Sequence, residues 1–189
     1  MEVFFGAMDE IIDILNTNGE LTGTTAMKSE AHRKGWFHQT VHIWFYTSDR
    51  KVLLQQRGSN KDIFPLLWDV SVAGHIAAGE AIEISALREI KEEIGLTIHM
   101  KQLKKIGVFK SIQKHHPNII DHEFHHTYLC ELKLPITKLQ NQISEIADLK
   151  LISIDKIIAE TSDPYQRKKY VPHDLKYYQN VFTAIKKSF

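Results

Sequence analysis

The sequence predicts a mixed α+β sandwich, and three observations lead there. Runs dense in β-forming residues outnumber helical runs. The helical runs fall between groups of strands instead of at one end of the chain. At 189 residues the chain can bury one full core and would be cramped as two domains.

Taken in order, Glu10 to Leu15 is rich in isoleucine, and Asn16 to Glu20 (NTNGE) is turn chemistry before Leu21 to Ala26, so residues 10–26 read as a β-hairpin. Ser29 with Glu30 opens a helical turn carrying His32, and Gly35 ends it. Val41 to Tyr46, a turn at Ser48 to Lys51, and Val52 to Gln56 form a second hairpin. A polar loop from Arg57 to Asp62 leads to Phe64-Pro65 and a strand from Trp68 to Val72. A helix starting near Ala81 stops at Gly95. Two more strands are expected around Leu103 to Lys110 and Phe124 to Leu134, with a histidine-rich loop, SIQKHHPNIIDHEFHH, between them. Glu145 to Leu149 reads as a turn, Lys150 to Ile152 as a last strand, and Ser153 or Asp155 as the cap of a helix through Glu160. In the extension over about 161–189, Asp174 starts a closing helix with Leu175, Tyr178, Val181, Phe182 and Ile185 on one stripe, a face for packing or for a homodimer. The basic residues of this tail read as a solvated face.

A net charge of +1 argues against a dedicated nucleic-acid or membrane surface. Cys130 is the single cysteine, which excludes an internal disulfide and fits a reducing compartment. Its apolar neighbours mark it as a structural thiol. No secretory signal and no run of about 18 apolar residues is visible, so the expected location is cytoplasmic.

Residues 74–96, GHIAAGEAIEISALREIKEEIGL, concentrate the chemistry. At roughly 100° per residue, Glu89, Glu92 and Glu93 share an arc of about 100° while Ala86, Leu87, Ile90 and Ile94 occupy another. Carboxylates at i, i+3 and i+4 repel one another. Three hard oxygen donors on one face, with Glu80 in the preceding loop, suit Mg²⁺ or Mn²⁺; the alternative is an acidic solvated face.

Gly74, Glu80, Arg88, Glu89, Ile90, Glu92, Glu93, Gly95 and Leu96 match all nine fixed positions of the box that defines the Nudix hydrolases. The resemblance implies an α/β/α sandwich with a mixed sheet whose core covers about residues 38–160, all within one domain over 1–189. It also implies a loop-helix-loop that binds divalent metal, and hydrolysis of a diphosphate linked to another moiety. On it we expect Glu89, Glu92 and Glu93 as metal ligands, the Gly74 carbonyl as a further one, and Glu80 assisting directly or through water. Arg88 is expected to brace these carboxylates. Arg57 and Lys61 are candidates for substrate phosphates, with a solvated-loop role as the alternative. Glu93 and Glu123 both qualify as general base, and Glu92 joins them among the catalytic candidates.

The chain also resembles type I isopentenyl-diphosphate isomerase, a branch of the same superfamily. The likeness runs through Leu15-Asn16-Thr17-Asn18-Gly19, His32, His38, Leu53-Leu54-Gln55-Gln56-Arg57, Lys61, Phe64-Pro65, Trp68, Ser71 to His75, and Asp121-His122-Glu123. It implies a metal or substrate site at His32, His38, His75, Asp121 and Glu123. Where the isomerase has its catalytic cysteine, this chain has Ala73, which can neither give nor take a proton. The sequence therefore favours a metal-dependent hydrolase of a nucleoside-diphosphate-X type or related organic diphosphate. An isomerase-like enzyme and a non-catalytic diphosphate-binding module are the alternatives.

Overall fold

Turn chemistry closes both expected hairpins. The structure, a computed structural model, describes residues 9–116 and 119–189, without the side chain of His116. β1 (Ile11–Leu15) pairs antiparallel with β2 (Leu21–Met27). In the turn between them, the Asn16 side-chain oxygen accepts from the backbone N–H groups of Asn18 and Glu20, and Gly19 takes φ 85°. α1 (Lys28–Lys34) follows and ends at left-handed Gly35. Ser29 is not its cap: the residue before the helix is Met27, and the Ser29 hydroxyl bonds Asp9.

β3 (His38–Tyr46) and β4 (Lys51–Arg57) form the second hairpin. The strand expected over Trp68 to Val72 is instead two strands. β5 (Trp68–Asp69) pairs with β4, and β6 (Val72–His75) pairs with β3. At the crossing, the buried Ser71 hydroxyl donates to the Leu53 carbonyl at 2.6 Å and accepts from the Phe45 N–H at 2.8 Å, filling the ladder where the chain changes partner.

α2 (Ile82–Ile94) is the helix expected after Ala81, with Gly95 at φ 68° as its stop. Ala86, Ile90 and Ile94 are fully buried, and each isoleucine contributes about 2 kcal/mol of apolar burial. The described residues of the histidine-rich segment do not form a loop. They belong to β7 (Lys104–His116) and β8 (Ile119–Glu131), which pair antiparallel. β8 also runs parallel to β3, with His38 opposite Glu123 and His42 opposite Thr127. Half of this alternation is His, Asp and Glu facing a cavity, so hydropathy did not show a strand. The last strand is longer than expected: β9 (Ile146–Ser153) pairs along β4 and absorbs the segment read as a turn.

α3 (Ile154–Ser162) starts on Ser153, whose hydroxyl accepts from the Lys156 N–H, so Asp155 is not the cap. α4 (Leu175–Lys186) starts on Asp174. The sheet carries one core on each face: Trp44, Val52, Leu54 and Leu129 against α3 and α4, and Val41, Ile43, Phe45 and Leu53 against α2. The stripe of α4 offered as a dimer face is spent here, with Tyr178, Val181, Phe182 and Ile185 buried and Leu175 exposed. Among the described residues, no helix is long and apolar enough to cross a membrane.

Candidate active site

Strand β6 divides the candidate residues between its two faces. On the α2 face, Gly74 meets the helix so closely that a Cβ there would occupy the place of the Glu89 carboxylate. One turn later, Glu93 accepts from the Ala73 N–H at 3.2 Å and from Gln55 Nε2 at 3.1 Å. Both carboxyls are buried. Burial pushes Glu89 up to about 7 against the pull of Arg88, and burial together with the Glu89 charge drives Glu93 well above the carboxylate range. Two acids in this setting hold protons until a cation takes their place, and their oxygen-only donor set fits Mg²⁺ or Mn²⁺.

Arg88 ties the box together. It donates to Glu89 at 2.7 Å, Glu92 at 3.1 Å, both oxygens of Glu80 at 3.1 and 3.0 Å, and the His75 carbonyl at 3.1 Å. Glu80 also accepts from the Ser85 hydroxyl. Glu92 stays half exposed, its carboxylate on Arg88.

On the other face, α1, β3, β6 and β8 bring His32, His38, His75 and Glu123 together, with one ligand atom from each lying within 4.8 Å of the others. His32 Nε2 lies 3.3 Å from His38 Nε2 and 3.2 Å from His75 Nε2. Glu123 Oε1 is 3.3 Å from His38 and 3.7 Å from His75. His38 Nδ1 donates to the Trp36 carbonyl at 3.0 Å, which leaves its Nε2 lone pair for the cluster. Burial lowers His32 to about 4 and His75 well below its usual value, favouring the neutral ring that metals require. Burial opposes the charge on Glu123, yet the His38 hydrogen bond beside it holds it well below the carboxylate range. Asp121 stands beside the group, raised to about 6 by burial and by Glu123. Its Oδ2 takes His115 at 2.8 Å, while its buried Oδ1, 3.7 Å from His32, has no hydrogen-bond partner. Three imidazoles and the carboxylates of Glu123 and Asp121, the latter with its Oδ1 orphaned, fit a divalent transition metal.

The cluster forms one wall of a cavity of about 170 Å³. The same cavity is also lined by residues that sequence reasoning does not single out. His42 stacks on His125 with ring centroids 4.0 Å apart and meets the Tyr177 hydroxyl at 2.7 Å. His173 lies 2.8 Å from Asp69, whose other oxygen takes Arg57 at 3.3 Å. The alternation His38, Thr40, His42 along β3 was a usable signal for His42; no local pattern marks His173. Arg57 lines the cavity, whereas Lys61 pairs with Glu145 at 2.7 Å. The other histidines of the stretch separate, His122 stacking on Phe37 and His126 bonding Gln39. Cys130 is buried in the α2-side core, where burial lifts its thiol to about 11. It does not stand in for a cysteine at position 73.

Comparison with known proteins gives a consistent result. A family model described as NUDIX domain matches residues 36–176. Nudix hydrolase 3 of Arabidopsis thaliana is 34% identical over 173 residues, covering 88% of this chain but only 22% of its own length. An uncharacterized Nudix hydrolase of Clostridium acetobutylicum is 32% identical, covering 94% of this chain and 97% of its own. Isopentenyl-diphosphate Delta-isomerase 2 of Photorhabdus laumondii is 29% identical, with 84% and 87% covered. Among solved structures, a Deinococcus radiodurans protein aligns with a TM-score of 0.66 at 18% identity, over 86% of this chain and 100% of that one, a likeness of fold.

Proposed function

The chain belongs to the NUDIX family of hydrolases acting on pyrophosphate linkages, and from that premise we propose that it is a divalent-metal-dependent enzyme cleaving an organic diphosphate of the nucleoside-diphosphate-X or a related type. The observation that carries this reading is the pair of buried carboxyls, Glu89 and Glu93, pressed against Gly74 and Ala73 of β6. Glu89, Glu93 and the more exposed Glu92 would hold Mg²⁺ or Mn²⁺, with the Gly74 carbonyl as a further donor. Glu80, fixed by Arg88 and Ser85, acts indirectly through that brace. His32, His38, His75, Glu123 and Asp121 would hold a second ion. Bound metal would supply charge neutralisation on the bridging and leaving oxygens.

Glu123 is the better supported general base. Its Oε1 faces the imidazole cluster and its Oε2 faces His125 at 3.3 Å, so one oxygen can serve a ligand role while the other accepts a proton from water. Arg57, which lines the cavity, would meet phosphate oxygens. Lys61 would have to leave Glu145 to do so. A lone buried thiol suits a reducing, cytoplasmic setting.

A hydrolysis panel over nucleoside di- and triphosphates, nucleotide sugars, dinucleotides, thiamin-type and prenyl diphosphates, with Mg²⁺ and Mn²⁺, tests the reading. Metal-dependent release of phosphate products from one class is expected. A folded protein that turns over none of them but binds one tightly would instead be a diphosphate-binding module. The imidazole–carboxylate cluster favours one second reading, isomerisation of a prenyl diphosphate, although Ala73 offers no proton. Incubation with isopentenyl diphosphate in deuterated water discriminates, because only isomerisation places deuterium on carbon in the product.

A further inference from the structure

The C-terminal extension does more than cover the sheet. Between α3 and α4 it lies along β5: Trp68 bridges to Tyr170, and the Val171 N–H donates to the Trp68 carbonyl at 2.9 Å. This strap delivers His173 to the wall of the cavity that the imidazole–carboxylate cluster also lines. There Asp69, buried on the sheet, binds two partners with its two oxygens. Oδ1 meets His173 Nε2 at 2.8 Å, and Oδ2 accepts from Arg57 at 3.3 Å. Burial works against the Asp69 charge, but His173 and Arg57 beside it hold the carboxyl well below its usual range. The carboxylate thus fixes the imidazole's orientation and tautomer, and the other ring nitrogen has no protein hydrogen-bond partner among the described residues.

The other imidazoles of the cavity are committed. Burial keeps His42 and His125 neutral, with His125 lowered to about 4; His42 is bonded to Tyr177, and His125 to Thr40. His115 is taken by Asp121, and His32 and His75 belong to the cluster. We infer that His173, oriented by Asp69, is the proton donor to the leaving oxygen of the diphosphate, acting within the cavity that the cluster also lines. The inference rests on the hydrolase reading above.

In the step, the oxygen of water bonds to phosphorus as the bridging P–O bond breaks and its electron pair stays on the leaving oxygen. The imidazolium proton of His173 moves to that oxygen, and the proton lost by the attacking water passes to Glu123 and from there to solvent, from which His173 is reprotonated. Arg57, on the other oxygen of Asp69, adds fixed positive charge to the same wall. The groups facing His173 are Asp69 from β5, Arg57 from β4, His42 from β3, His125 from β8, and Tyr177 and Tyr178 from α4. Of these, Asp69 alone is negative, and it is the group that holds the ring through Nε2.

The test uses the full chain with metal and the best substrate from the panel. Wild-type kcat should fall on the alkaline side as His173 loses its proton. His173→Gln should lower kcat about 100-fold and abolish that limb, with KM changing far less. Asp69→Asn should move the limb to lower pH, a change that loss of packing does not produce. Circular dichroism and Mn²⁺ affinity report whether each variant keeps its fold and cluster. Independently of turnover, inorganic pyrophosphate with Mg²⁺ should bind His173→Gln about ten-fold more weakly than wild type in calorimetry at acidic pH, the gap closing as pH rises. An alkaline limb retained in a folded His173→Gln, or equal pyrophosphate affinity at all pH values, overturns the inference. No hydrolysis by wild type, together with His173-dependent pyrophosphate binding, would remove the hydrolase reading and keep His173 as the anion's proton-bearing partner.

Discussion

The two faces of β6 carry donors of opposite kinds. On the α2 face, Glu89 and Glu93 come from one helix, offer only oxygen, and are pushed toward their protonated forms by burial. On the cavity face, His32, His38, His75 and Glu123 come from four elements and offer mostly nitrogen; Glu123 is ionised and His32 and His75 are neutral, while His38, lowered by burial, is raised on balance by Glu123. The first set favours its protonated forms, whereas in the second only His38 is shifted toward holding a proton. Adjacent residues of one strand, Gly74 and His75, touch the two sets, and Arg88 spans them through the His75 carbonyl.

The sharpest way to break this contrast is to neutralise the helix acid. Glu93→Gln should cut metal-dependent hydrolysis by about 10³-fold, some 4 kcal/mol of transition-state stabilisation, while leaving the unfolding midpoint at neutral pH unchanged or raised. A folded variant with turnover close to wild type would place the chemistry away from the box. The cavity set should respond in metal affinity first: His75→Ala is expected to weaken Mn²⁺ binding by about 100-fold or more in calorimetry, and undiminished binding would remove that ring from the ligand set.

Gly74→Ala sharpens the comparison at the shared strand. Its Cβ would press into the Glu89 carboxylate, so we expect a loss of about 2 kcal/mol in urea unfolding together with weakened activity. Stability equal to wild type would show that β6 and α2 can part without cost. A smaller effect follows from pH. Glu89 titrates near 4.5 when unfolded and at about 7 when folded, so the native state holds the extra proton between those values. Its contribution therefore favours folding at the acid end of that window and declines as pH rises through it. The Tm of the metal-free protein should drop relative to Glu89→Gln between about pH 5 and 8, and Mg²⁺ or Mn²⁺ should reverse the drop. A constant difference across that range would contradict the burial argument. Least affected should be Cys130→Ser, remote from both sets in the α2-side core: hydrolysis within about two-fold of wild type, at a stability cost of about 1 kcal/mol.

The helix, its stop at Gly95 and its two faces were readable because i, i+3 and i+4 residues of a helix stay neighbours whatever surrounds them. The resemblance to an isomerase pointed to His32, His38, His75, Asp121 and Glu123, which the fold gathers on one cavity wall. The segment around His115 and His122 was misread because a strand facing a polar cavity loses the apolar alternation by which strands are recognised. The break at Ser71 was hidden for a related reason: the same extended backbone continues while its pairing partner changes.

By itself the sequence determined the local chemistry: an acidic helix with one packing face, a glycine beside it, and an alanine where a proton carrier would otherwise stand. Tertiary structure alone decided which residues confront one another across the cavity. His173 meets Asp69 at 2.8 Å although they are 104 positions apart, and His42 meets Tyr177 at 2.7 Å across 135. Such meetings depend on sheet register and on how the final strap lies along β5, and both are settled by the packing of the whole chain.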